Sequence, residues 1–198
     1  MTDRPTLFSG AMVRALLDGT KTQTRRVLKP QPEVVDQASE HLESDELSGW
    51  VNVEMSDGRF LRWRPPYAVG DRLYVREAFR VQHGGAIRDA TGAQEDYLEP
   101  AVFYMASGGR GPWTPGIHMP RKLSRLTLSV TDVRLQRLQE ISEADALAEG
   151  IPQDSPDPIA AYFFLWDEIN GTGASAKNPW IVAVSFTVER RNIDGAPT

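Results

Sequence analysis

The chain has no cysteine, which excludes disulfides and thiolate metal sites. It has only three histidines, His41, His83 and His118. They lie far apart without ligand spacing, so no structural metal is expected. No apolar run approaches the ~20 residues a membrane helix needs. The opening Met-Thr-Asp-Arg-Pro lacks the basic-then-apolar build of a signal peptide, so a soluble cytoplasmic protein is expected. A net charge of −5 argues against coating nucleic acid by bulk charge. No internal repeat or low-complexity segment is present. Gly108-Gly109-Arg110-Gly111 lacks the strand and helix context of a phosphate loop.

What is present starts from 198 residues, enough for one domain, or one domain with a large insertion, to bury a core unaided. Acidic residues are dense in 33–57 and 140–157, basic ones in 21–29, 59–64 and 121–137. A local basic pocket therefore remains compatible with the acidic total.

The chain is organised around Leu17-Asp18-Gly19-Thr20-Lys21-Thr22-Gln23-Thr24-Arg25-Arg26-Val27. Before it, Met12, Val13, Leu16 and Leu17 fall on one helical face, Ser9 suits the N-cap and Gly19 the left-handed stop. The basic stretch that follows admits two readings. It is a solvated loop after a helix, or a site in which Lys21 and Thr24 act together while Arg25 or Arg26 holds an anion. A threonine hydroxyl attacks only after a base removes its proton, and a lysine is that base only where its surroundings lower its pKa.

Pro30-Gln31-Pro32 reads as a helix stop and 33–49 as a surface excursion with a short helix. Residues 50–55 and 59–64 read as a hairpin around Ser56-Asp57-Gly58. Tyr67 to Arg72 reads as a turn, Leu73 to Val81 as one strand, 82–100 as loop and Pro100 to Ala106 as a strand. Ser107 to Gly116 is rich in glycine and proline, with Trp113 exposed or acting as a lid. From Leu123 to Leu138 two alternating stretches flank a bulge or turn at Thr131-Asp132. Ser142 caps a short helix that Gly150 ends, with Asp145 standing in for the capping-box glutamate. Asp157-Pro158 opens a helix with Tyr162, Phe163, Leu165, Trp166 and Ile169 mostly inward. After a loop at 171–178, residues 179–189 read as a closing strand. Short strands from distant parts of the chain, interrupted by three or four helices, fit a small α+β domain on a mixed, barrel-like sheet.

The order of Gly-Thr-Lys-Thr-Gln-Thr-Arg-Arg, Val-Gly-Asp-Arg-Leu-Tyr-Val-Arg-Glu and Ile-Ser-Glu-Ala-Asp-Ala-Leu-Ala-Glu-Gly-Ile, then an aromatic helix and a final strand, resembles the ASCH domain family. The likeness covers roughly 7–29, 67–80, 119–151 and 160–190, and is greatest to the longer, prophage-type members. It implies a PUA-like mixed β-barrel with three or four short helices. Residues 1–190 would form a single domain with insertions at about 30–66 and 82–120, and 191–198 a tail. In its motifs the chain is also similar to a compact branch that acts as N(4)-acetylcytidine amidohydrolases. Carried over by motif, that branch implies Thr24 as nucleophile, Lys21 as its base, and Glu149 orienting Lys21 or shuttling a proton to the leaving amine. The implied reaction is removal of an acyl group from an N-acylated cytosine nucleoside or nucleobase, without metal or cofactor. Other ASCH and PUA-like domains imply the alternatives: an RNA or modified-nucleotide binding module, with single-stranded RNA as its partner, or a ribonuclease.

Of Arg25, Arg26 and Arg76, one is expected to line the pocket and the others to make surface ion pairs. Glu77, Tyr74, His118 and Arg121 complete the substrate-binding candidates. Glu77 and His118 each also have a structural reading. Trp63, Trp113 and Tyr74 could stack on a base, whereas Trp166 and Trp180 read as core.

Overall fold

The computed structural model describes residues 2–29, 31, 44–45, 50–54, 60–63, 66–82, 85–88, 94–97 and 101–195. In chain order the elements are β1 (Asp3–Leu7), α1 (Gly10–Leu17), β2 (Gln23–Val27), β3 (Ser44–Asp45), β4 (Trp50–Glu54), β5 (Phe60–Trp63), β6 (Arg72–Arg76), β7 (Phe79–Gln82), β8 (Gly85–Arg88), β9 (Gln94–Tyr97), β10 (Ala101–Tyr104), β11 (Thr127–Arg137), α2 (Glu143–Ala148), α3 (Pro158–Asn170) and β12 (Trp180–Glu189). The architecture is α+β. The largest sheet has the order β1-β6-β11-β12-β2. Among the described residues no helix is long and apolar enough to cross a membrane.

The chain divides into two compact units. The first takes Thr20–Asp71 and Ser129–Thr187, the second Thr2–Gly19, Arg72–Leu128 and Val188–Thr198. In the first, β2 runs antiparallel to β12, with Thr24 opposite Val184 and Arg25 opposite Ala183. Helices α2 and α3 bury Ala146, Tyr162 and Trp166 against Ile181 and Ala183 of β12, with Leu138, Ile141 and Ile151 closing the cluster. Both helices start where local chemistry dictates. Ser142 Oγ accepts from Asp145 N at 3.1 Å, and Asp157 Oδ1 from Ala160 N at 2.9 Å. In the second unit β1 runs parallel to β6, and α1 starts at Ser9, whose hydroxyl accepts from Met12 N. Val13 and Leu16 are its buried face, and Gly19 ends it at φ +75°.

Several elements differ from the reading of the sequence. Asp3–Leu7 is a strand, and the basic stretch after Gly19 becomes β2 rather than a loop, so Pro30-Gln31-Pro32 follows a strand and not a helix. The expected strand at 73–81 breaks at Glu77-Ala78, where Glu77 N donates to Met119 Sδ and the Phe79 backbone pairs with Thr114. From there β7 pairs with β10. Residues 85–88 and 94–97, expected as loop, form an antiparallel pair. The strand β11 runs unbroken through Thr131-Asp132, where a mostly buried stretch gives way to exposed and half-buried residues. The hairpin at β4 and β5 has Val53 opposite Leu61, and its turn lies outside the described residues, as do His41 and His83. Ile169 is exposed, whereas Ile193, beyond the last strand, is buried.

Candidate functional site

Helix α2 presents two carboxylates. Asp145 and Glu149 are four residues apart and so share a face. Glu149 is the C-cap, with Gly150 beyond it at φ +96°. The end of this helix is joined to the start of β2, because Thr22 N donates to Ala148 O at 2.8 Å and Phe186 N donates to Thr22 O at 2.9 Å. Those bonds fix Lys21 beside the helix terminus.

Lys21 is wholly buried. Its Nζ donates to Glu149 Oε2 at 2.6 Å and to the Glu149 carbonyl oxygen at 2.7 Å. A cation at a helix C-terminus is favourable, so the ammonium also offsets a carboxylate placed at the unfavourable end of the dipole. Burial lowers the Lys21 pKa from the ordinary lysine range; Glu149 opposes that shift, and the charges of Arg26 and Arg25 add to it.

Alternation along β2 sets Gln23, Arg25 and Val27 on the face that carries Ile181 and Ala183, toward α2 and α3. Arg25 is buried there. Its Nη2 lies 2.9 Å from Asp145 Oδ2, its Nη1 lies 3.5 Å from Glu149 Oε1 and donates to Gln23 Oε1, and its guanidinium carbon sits 5.8 Å from the centre of the Tyr162 ring. Nε of Arg25 is buried without a hydrogen-bond acceptor among the described residues, and Nη2 meets Asp145 as an ion pair outside hydrogen-bond alignment. Gln23 Nε2 donates to Asp145 Oδ1 at 3.0 Å and to Ser185 Oγ at 3.2 Å, and Arg134 Nη2 donates to Asp145 Oδ1 at 2.9 Å. Burial pushes the Asp145 carboxyl up, but the Arg134 and Gln23 hydrogen bonds and the Arg25 charge outweigh it and hold the pKa at about 2. Burial, with the negative charge of Glu149, raises the Tyr162 hydroxyl well above its ordinary value, so it stays protonated.

Thus Lys21, Arg25 and Glu149 meet. Thr24 is buried in β2, and alternation places it with Arg26 on the face of Val182 and Val184, opposite to Arg25. Arg26 is half-buried. The remaining candidates belong to the second unit. Arg121 lies over the Tyr74 ring at 5.5 Å and pairs with Asp3 at 2.5 Å and Asp194 at 2.6 Å. Arg76 Nε donates to Met119 O at 2.9 Å. The buried Glu77 carboxylate receives Arg125 Nε at 2.8 Å and Nη2 at 3.1 Å, a forked pair that occupies both oxygens. His118 is exposed.

Sequence reasoning missed Gln23, Asp145, Arg134 and Tyr162 as members of the cluster. Two signals pointed to two of them, Asp145 and Gln23: the four-residue spacing of Asp145 and Glu149 on a helix, and the two-residue spacing of Gln23 and Arg25 on a strand. Among the described residues no group of acids and histidines could hold a metal ion. Compared with family models, curated proteins and solved structures, the chain matches none of them.

Proposed function

We propose that this protein is a metal-independent amidohydrolase of the ASCH type, with a PUA-like barrel, acting on an N-acylated cytosine nucleoside or nucleobase. The observation that carries this reading is Lys21: a fully buried amine whose Nζ sits 2.6 Å from the Glu149 carboxylate. A surface lysine is protonated at neutral pH and cannot accept a proton. Burial favours the neutral amine, and in a closed ion pair the proton can pass to the carboxylate without leaving net charge behind.

The chemistry then balances with these groups alone. Thr24 Oγ1 bonds to the acyl carbon as its proton passes to Lys21 Nζ. The tetrahedral adduct collapses, the carbon–nitrogen bond breaks, and the cytosine amine takes a proton from the Lys21–Glu149 pair. Water then adds to the threonyl ester and gives its proton to the same pair, which returns it to Thr24 Oγ1 as the carbon–oxygen bond breaks and the carboxylic acid leaves. The reading requires the Thr24 hydroxyl to reach Lys21 Nζ within about 2.6–3.2 Å when substrate is bound.

The test is hydrolysis of N(4)-acetylcytidine by the purified protein, followed by ultraviolet absorbance, with Thr24→Ala and Lys21→Ala beside it. Turnover by the wild type that each folded variant loses by at least about 100-fold is the expected result. Unchanged rates in the variants would remove Lys21 and Thr24 from the chemistry. No turnover on this substrate, together with salt-dependent binding of short RNAs, would favour a binding module built on the same arginines.

A further inference from the structure

Two acids one helical turn apart repel each other, and burial sharpens the repulsion. Asp145 and Glu149 tolerate it because cations stand against both. Their shares are unequal. Arg25 Nη2 is 2.9 Å from Asp145, but the nearest Arg25 nitrogen to Glu149 is Nη1, at 3.5 Å. That Nη1 also donates to Gln23 Oε1, and Gln23 is itself held to Asp145 by its amide nitrogen. The guanidinium is thus kept on the Asp145 side. Glu149 Oε2 is left to Lys21.

We infer that Asp145 is a positioning residue for the Lys21–Glu149 pair: it retains Arg25 at its own carboxylate and so leaves Glu149 to the lysine. Without Asp145, Arg25 would turn to Glu149 and form the forked arginine–carboxylate pair that guanidinium geometry favours. Lys21 would then lose part of the charge that holds its proton. The groups concerned come from every element of the cluster: Arg25 and Arg26 from β2, Asp145 and Glu149 from α2 and its cap, Tyr162 from α3, and Arg134 from β11. Only the consequence for rate rests on the amidohydrolase reading; the competition for Arg25 does not.

The test is a pH titration of the lysine side-chain carbons by NMR. The chain has four lysines, and Lys29, Lys122 and Lys177 are exposed, so replacing each by arginine assigns Lys21 by elimination. Asp145→Asn is expected to move the Lys21 titration to lower pH, by about a tenfold change in proton affinity. In an Arg25→Met background the same substitution is expected to move nothing. An unmoved titration, or an equal shift in both backgrounds, overturns the inference. Should Asp145→Asn fail to fold, Arg134→Gln serves, because the Arg134 side chain is 43% exposed. Losing Arg134 leaves more of the Asp145 charge for Arg25, so the Lys21 titration should move to higher pH; no movement, or movement to lower pH, overturns the inference. Where the titration moves but the pH dependence of turnover does not, the positioning role stands and Lys21 is not the base.

Discussion

Lys21 holds both the side chain and the backbone carbonyl of Glu149, at 2.6 Å and 2.7 Å, from a position 128 residues away in the sequence. One ammonium therefore closes a helix terminus, neutralises a buried carboxylate and ties the entry of β2 to α2. On the proposed reading a structural and a chemical role coincide at one atom, and they separate by experiment.

Removing one partner of a buried ion pair strands the other. Lys21→Met is expected to destabilise the protein by about 3–5 kcal/mol, whereas adding Glu149→Gln to it should restore most of that loss. Urea unfolding of the two single variants and the double variant measures the coupling. Simple additivity would mean that the pair contributes nothing as a pair.

On the amidohydrolase reading, the lowered Lys21 pKa sets the expected pH dependence of turnover. The base form grows as pH rises, so kcat/KM should increase with pH and level off below the ordinary lysine value of about 10.4. A plateau reached only at or above that value would contradict a lysine tuned by burial.

Acid should weaken the fold through Asp145. Its folded pKa, about 2, lies below the unfolded value near 3.9. A depressed carboxylate contributes stability that is complete above the unfolded pKa and disappears as pH falls through the folded one. Asp3 and Asp194, held down by Arg121 against the cost of burial, act in the same sense. Urea midpoints measured from pH 5 to pH 2 should fall steeply below about 4, and Asp145→Asn should flatten that slope.

Gly116 and Gly19 are required for different reasons. A Cβ at Gly116 would lie 2.8 Å from Leu7 Cδ1 and 2.9 Å from the Glu77 carbonyl carbon, and that backbone cannot yield as a side-chain tip can. Gly116→Ala should cost about 1–3 kcal/mol. Gly19 has open space but a φ of +75°. There Asn, which tolerates the left-handed region, should be accepted better than Ala. At Gly116 it should be worse than Ala, because it is larger. Thermal unfolding of the four variants distinguishes crowding from backbone strain.

The legible parts of this sequence were those governed by neighbours along the chain. Ser9, Ser142 and Asp157 each cap the helix they precede because a short polar side chain reaches an amide three residues on. Asp71 likewise caps its turn, accepting from Ala68 N at 3.2 Å beside Gly70 at φ +86°. Less legible was Gln23-Thr24-Arg25-Arg26-Val27. Its polarity suggests a solvated loop, yet it is a strand with Gln23, Thr24 and Arg25 buried.

By itself, then, the sequence determined the absence of thiol chemistry, the three helices and their caps, and the composition of the basic stretch, since each depends on residue identity or on spacings of a few positions. Only the tertiary structure decided that Lys21 meets Glu149, that Asp145 takes Arg25, and that Glu77 goes to Arg125. The reason is physical. A charged side chain is buried only where a distant partner compensates it, and hydrophobic periodicity records the burial of apolar faces, not the pairing of ions.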